Sequence, residues 1–434
     1  MLPIDDKTLD NALDKLGITD LITATIRQIC SLSAALENES GEEYVHLELG
    51  NPGLMAEEAG IEAECEALRK GVANKYPDIS GIPQLKKAGS EFIKAFLDLE
   101  IPPKCIVPTV GSMQASYTLM TLLKMRVPGK DTMLIFNPGF PAQRHQAKML
   151  GMNVRSFDIY DYRGEKLKDK LDELLSDGRV TAMIYSNPNN PSWSNFTEDE
   201  LRIIGEAATK YDVIVLEDLA YMGMDFRRDF SQPYEPPFIP SVGKYTGNYI
   251  LLISASKIFS YAGQRIAFVA MSEEVFNRKY PVLEQFFEMP NFGECYIFGV
   301  LYTASSGAAH SAQYGMAAML EKAVKGELKF VDHTKEYGRR GGKLKKLLKD
   351  NGFHLVYDKD GDEEISDGFF FTVGYKDMES EKLQRELLRF GISSIALPCT
   401  GSEKDGVRIC VSMISDEDTF KMMENRLKAF KDAH

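Results

Sequence analysis

Short apolar runs at residues 133–136, 152–159, 181–186, 213–217, 249–253 and 266–271 alternate with stretches of helical spacing. Nothing else in the chain constrains its fold so tightly. Strands that alternate with helices need crossover connections, and those produce a largely parallel sheet covered by helices on both faces. One intervening helix is signalled residue by residue. Thr197 and Glu200 form a capping box, and Leu201, Ile204 and Ala208 fall on one face. In such sheets ligands sit at the carboxyl ends of the strands, and the distinctive polar residues of this chain collect there.

The flanks read differently. The first forty residues have helical spacing, with Ile22, Ile26 and Ile29 on one face. Residues 44–49 then alternate like a strand and stop at the turn Gly50-Asn51-Pro52-Gly53. A helical stretch follows over residues 56–73. Beyond residue 320 a long charged helix leads to strand candidates at 353–357, 369–373, 393–396 and 407–412, with helices at 379–390 and 416–430. The expected division is an N-terminal segment (1–55), a large sheet domain (56–320) and a smaller α+β domain (321–434). The first segment is expected to pack on the small domain, because a lone helix cannot bury its stripe unaided.

Composition narrows the partners. The formal charge of −13 and the interspersed acids and bases argue against nucleic acid or an anionic membrane surface. The basic run Arg339-Arg340 and 343–349 carries leucines at 344, 347 and 348, as a solvated amphipathic helix would. Cysteines 30, 65, 105, 295, 399 and 410 show no paired or metal-like spacing, so reduced, mostly buried thiols of a cytoplasmic protein are expected. The residues from Met1 to Asp6 lack the layout of a signal peptide, and no apolar stretch approaches the length of a membrane helix.

Four strand ends carry candidate chemistry. Tyr249-Ile250-Leu251-Leu252-Ile253 delivers Ser254-Ala255-Ser256-Lys257, and Arg265 follows eight residues later. An amine is nucleophilic only when unprotonated, so a reactive lysine needs desolvation or a nearby cation. Arg265 suits that cation, and it equally suits a bidentate phosphate ligand beside the serine hydroxyls. Taken alone, the segment fits a polar surface loop as well. A second strand opens into Asn187-Pro188-Asn189-Asn190-Pro191, and a third ends in Glu217-Asp218-Leu219-Ala220-Tyr221. The fourth ends in Asn137-Pro138-Gly139-Phe140-Pro141. In addition, Pro108-Thr109-Val110-Gly111-Ser112-Met113-Gln114 opens a helix whose first N–H groups form an anion site.

With these segments together, the sequence resembles the class I/II aminotransferases of the pyridoxal-phosphate fold-type-I superfamily. The motifs run in the family's order from Gly50-Asn51-Pro52 through Tyr76-Pro77 and Gly81 to Arg408. The resemblance implies a mostly parallel seven-stranded sheet, a homodimer with shared sites, and pyridoxal 5′-phosphate held as an internal aldimine on Lys257. It makes Asp218 the partner of the pyridine nitrogen, with Asn190 and Tyr221 on the ring's phenolic oxygen and Phe140 stacked on the ring. It gives the phosphate to Ser254, Arg265, the N–H groups of Ser112 and Met113, and Tyr76 of the neighbouring chain. Gly50, Asn190 and Arg408 would bind the substrate, Arg408 gripping its α-carboxylate. The implied activity is amino transfer from an amino acid to a 2-oxo acid by a ping-pong mechanism, with no metal. A lyase or an aminocyclopropane-carboxylate-synthase-like enzyme uses the same cofactor residues and is the alternative. The chain departs from the family pattern after Asn190-Pro191, where Ser192-Trp193 stand in place of a small residue and glycine. No arginine occurs between Arg278 and Arg339, where family members acting on acidic substrates carry one.

Overall fold

A computed structural model describes residues 2–434, so Met1 lies outside the described residues. Seven strands form the main sheet, in the order Ile106–Thr109, Ala267–Met271, Tyr249–Ser254, Ile214–Asp218, Val180–Ser186, Thr132–Asn137 and Asn153–Asp158. The five from Tyr249–Ser254 onward run parallel, and Ala267–Met271 is antiparallel to both its neighbours. Six of the seven are buried throughout. That explains their unbroken apolar sequence, since helices cover both faces. The strand over Ile106–Thr109 is the one that apolar spacing did not reveal, because Pro108 interrupts it.

The capping box is present. Thr197 Oγ1 accepts from the Glu200 N–H at 3.2 Å, and Glu200 Oε2 accepts from the Thr197 N–H at 3.0 Å. It starts the helix Glu198–Lys210, which buries Leu201, Ile204 and Ala208.

The strand register aligns the polar ends. Asp218 pairs with Ser186 on one side and Leu252 on the other. Ala267 pairs with both Ser254 and Thr109. The strand ends at Thr109, Ser254, Asp218 and Ser186 therefore lie along one side of the sheet.

A second, four-stranded antiparallel sheet has the order Ile395–Ala396, Val407–Cys410, Phe370–Tyr375 and Phe353–Leu355. The N-terminal region is two helices, Asp6–Leu16 and Ile26–Ser40, rather than one. Gly17 ends the first in the left-handed conformation, and Ile22 falls in the connecting turn. Leu9, Ala12, Ile29, Leu32 and Leu36 pack with Leu388 and Ile395. Of the expected strand at 44–49, Val45–His46 lies parallel to Ile392–Ser393, and Leu47 continues the contact, donating to the Ser393 carbonyl at 3.0 Å and accepting from the Cys410 N–H at 2.9 Å.

The basic run is less solvated than expected. In the helix Phe330–Asp350, Arg340 is buried and donates to the Ser412 carbonyl. Lys345 is buried as well and donates to the Ser366 carbonyl at 2.7 Å. Their long stems cover apolar surface, and their charges are shared with carboxylates, Arg340 with Glu336 at 2.9 Å and Lys345 with Asp367 at 3.1 Å. All six cysteines are free, three of them buried and three half-buried. Among the described residues no helix is long and apolar enough to cross a membrane.

Candidate active site

Asp218 closes its strand inside the protein, with its carboxylate deeply buried. Oδ1 accepts from the Ala220 N–H at 3.2 Å and Oδ2 accepts from the Gln143 side-chain amide at 3.1 Å. No cation pairs with it among the described residues. Burial pushes its pKa up to about 6, against the pull of those two donors. A carboxylate desolvated to this degree calls for a cationic or N–H partner.

Lys257 follows the adjacent strand, on the short helix Ala255–Ile258. Its amine donates to the Gly50 carbonyl and stands 5.4 Å from the centre of the Phe369 ring. Burial is the main cause that lowers its pKa to about 8, and the charges of Arg408 and Arg265 act in the same direction. Cys410 opposes this in part, and no carboxylate does so among the described residues. Such an amine becomes available as a nucleophile and a proton carrier as pH approaches 8.

Asn190 is presented by a loop tied back on itself. Its N–H donates to Ser186 Oγ at 3.1 Å, and the Asn189 side chain donates to the Pro138 carbonyl at 2.9 Å. Asn190 Nδ2 reaches the Tyr221 hydroxyl and its Oδ1 reaches Arg408 Nη1, each at 3.5 Å. Tyr221 is buried, which keeps its phenol protonated. Arg408 is 1% exposed, donates to the Glu48 carbonyl and leaves its Nε without a partner. Its guanidinium lies 4.8 Å from the centre of the Phe370 ring.

The anion end is built at the helix Gly111–Met125, whose first N–H groups, Ser112 and Met113 included, have no intrahelical acceptor. Arg265 adopts the left-handed conformation, φ 51°, and donates to the Ala262 carbonyl at 2.9 Å. A Cβ at Gly111 would stand 2.6 Å from Arg265 Nη2, so only glycine lets the guanidinium approach this helix end. Ser254 Oγ contacts Ser256 Oγ at 3.0 Å. Thr109 Oγ1 is buried without a partner one residue before this turn.

The donor set fits pyridoxal 5′-phosphate. There is a buried carboxylate with no cation among the described residues for a ring nitrogen, an amine for an aldehyde, and a cationic helix-end cradle for a phosphate. Phe140 is half-buried outside the packed core, immediately before the helix Pro141–Met149 that carries Gln143. Tyr76 is 92% exposed and takes no part in its own chain's site. Sequence reasoning missed Gln143 and Phe370. Gln143 stands one helical turn after Phe140, and Phe370 lies in the run Phe369-Phe370-Phe371.

Trp193 keeps the loop instead of disrupting it. Its N–H donates to the Asn189 carbonyl at 3.0 Å, and the indole turns inward, fully buried.

The sequence profile of aminotransferase classes I and II matches residues 42–424. The chain belongs to that family. Nicotianamine aminotransferase 1 of Oryza sativa subsp. japonica is 27% identical over 249 residues, 56% of this chain and 48% of the relative. A probable aspartate aminotransferase of Methanocaldococcus jannaschii is 23% identical over 331 residues, 75% and 77% of the two chains. The chain thus spans about half the length of the nicotianamine aminotransferases it matches. Aspartate aminotransferase of Thermus thermophilus, solved with maleate, superposes with a TM-score of 0.75 at 18% identity, covering 94% of this chain and 96% of that one. That of Thermotoga maritima gives 0.75 at 19%, covering 95% and 98%. These aminotransferases share the α/β fold with its mostly parallel seven-stranded sheet.

Proposed function

We propose that this member of the family is a pyridoxal 5′-phosphate-dependent aminotransferase that moves an amino group from an amino acid to a 2-oxo acid. The observation that carries the reading is Asp218, a buried carboxylate with no cation among the described residues, on the strand next to the one that leads to Lys257, whose amine pKa burial lowers to about 8. Bound pyridoxal 5′-phosphate supplies an electron sink for the electrons left when a substrate Cα loses its proton.

The chain's own residues do the rest. Asp218 would hold a proton on the ring nitrogen, with Gln143 fixing the carboxylate's rotation. Lys257 would hold the cofactor through its amine, and the same amine would move the proton at the substrate Cα. Tyr221 and Asn190 would offer the phenolic oxygen an O–H and an N–H. Phe140 would lie against the ring. Ser112, Met113, Ser254 and Arg265 hold the phosphate, completed by Tyr76 from the second chain of a homodimer. Arg408, with Asn190 and Gly50, orients the substrate by its α-carboxylate. Donor and acceptor use this one carboxylate site in turn, which makes the kinetics ping-pong.

The large domain (56–320) and the smaller one (321–434) would be separate units, with the N-terminal segment (1–55) packing on the smaller. The six free thiols suit a reducing, cytoplasmic setting. The test is to reconstitute the protein with the cofactor, trap it with borohydride and map the labelled residue. A panel of amino acids with a 2-oxo acid then identifies the reaction. Label on Lys257 and a new amino acid product support the reading. Release of ammonia with pyruvate identifies a lyase, and label on another lysine overturns the cofactor site.

A further inference from the structure

Trp193 breaks three local rules at once. It takes a left-handed backbone, φ 65°, which a bulky residue rarely adopts. Its indole is fully buried, and its Nε1 has no hydrogen-bond partner. Local costs of this kind persist where a site over-determines them.

The surroundings show what the indole does. It meets the Tyr221 ring edge-on at 5.6 Å between centroids and the Phe370 ring edge-on at 6.2 Å. Phe370 in turn carries the Arg408 guanidinium on its face, and its ring tip would touch a Cβ at Gly50 at 3.4 Å. On its far side the indole fills the place of a missing side chain. A Cβ at Gly368 would fall 2.1 Å from Trp193 Nε1. Gly368 has no room to retreat, because a Cβ at Gly341 on the long helix would already sit 2.9 Å from its carbonyl oxygen. The loop that holds Asn190 thus reaches across and keys into the segment that leads to Phe370, beside the strand that holds Arg408.

We infer that Trp193 is a positioning residue that aligns the two halves of the substrate-carboxylate site, Asn190 from the main sheet and Arg408 from the four-stranded sheet, with Gly368 as its socket. The inference rests on the aminotransferase reading for the identity of the ligand. Without the indole, Phe370 is free to tilt, and the guanidinium loses its backing. Asn190 and Arg408, now at the limit of hydrogen-bond distance, then separate.

The test uses the cofactor-loaded protein and three variants, Trp193→Gly, Trp193→Phe and Gly368→Ala. Trp193→Gly should raise KM for every accepted amino acid about tenfold while kcat changes less than threefold. Trp193→Phe, which restores a ring, should return KM to within about threefold of the wild type. Gly368→Ala should raise KM like the glycine variant by expelling the indole. Trp193 is the only tryptophan, so its red-shifted emission reports that expulsion directly. In an Arg408→Lys background the Trp193→Gly effect on KM should shrink, since both act through one group.

If Trp193→Gly and Gly368→Ala lower the melting temperature but leave KM within twofold, the indole only fills space and the inference falls. Should the wild type turn over no amino acid, the aminotransferase reading falls separately, and calorimetric binding of pyruvate and 2-oxoglutarate decides this one. Tenfold weaker binding in Trp193→Gly sustains it. Equal binding, or none in the wild type, overturns it.

Discussion

The side-chain amide of Gln143 donates to Asp218 Oδ2 at 3.1 Å, and among the described residues this neutral donor is the only side chain that stabilises the buried charge. A neutral donor lowers the carboxylate's pKa without consuming its charge, which stays available to a ligand. Gln143→Leu should therefore raise the Asp218 pKa further. The acid limb of the kcat profile should move to higher pH, with cofactor affinity reduced less than tenfold. An unchanged limb would remove Gln143 from the site.

Asp218 also makes a prediction about stability without cofactor. Its folded pKa, about 6, lies above the ordinary 3.8. The folded chain therefore binds the proton more tightly than the unfolded chain, and stability falls as pH rises from 3.8 through 6. Asp218→Asn removes that loss, and Gln143 turns its amide to suit. The cofactor-free variant should be more stable than wild type by about 3 kcal/mol at pH 7.5, and by roughly half that at pH 5. Melting curves at pH 5 and 7.5 test this. The cofactor-loaded variant should lose kcat far more than it loses affinity, because the charge that holds the ring nitrogen protonated has gone. Full activity in this variant would mean that Asp218 does not face the ring.

Lys257 behaves in the opposite sense. Its pKa is depressed to about 8, so the uncharged amine is present in quantity only as pH approaches that value. The rate of cofactor attachment to the apoprotein should rise with pH and level off above about 8. A midpoint near the ordinary lysine value of 10.5 would show that the amine is not desolvated in solution.

Arg408→Lys keeps a charge but loses the planar fork that reaches Asn190 and the Glu48 carbonyl. The expected loss in kcat/KM is about 2–4 kcal/mol across all accepted amino acids. A variant with unchanged kcat/KM would assign the carboxylate to another residue.

Much of this was legible in the sequence. The strands ending in Asp218 and Ser254 announced themselves because both sheet faces are covered, which leaves unbroken apolar runs. The strand Ile106–Thr109 did not, since its four residues include a proline and its role depends on pairing with Ala267, far away in sequence. Lys257, Asp218, Asn190 and Arg408 stood out through local motifs. Gln143 and Phe370 act through contacts at sequence separations of 75 and 38, and no local pattern marks them. Trp193 was visible only as a departure. That its side chain turns inward depends on a glycine 175 positions later.

Assembly supplies the final prediction. Tyr76 is 92% exposed, although tyrosine ordinarily buries its ring, and its hydroxyl makes no hydrogen bond among the described residues. In a two-fold dimer each site would receive one such phenol from the other chain. A phenol donating to a doubly charged phosphate forms a strong hydrogen bond. Tyr76→Phe should therefore weaken cofactor binding about tenfold without dissociating the dimer, at the scale of one charge-assisted hydrogen bond. Mixing Tyr76→Phe with Lys257→Ala subunits shows which chain the phenol serves. If it crosses the axis, the Tyr76→Phe chain keeps its own lysine and receives an intact tyrosine from its partner. That site should hold the cofactor like wild type, while the other carries both lesions. If the phenol serves its own chain, the site with the intact lysine keeps the weakened binding of the Tyr76→Phe homodimer. Cofactor retention at borohydride-reactive sites, measured in isolated heterodimers, separates the two outcomes.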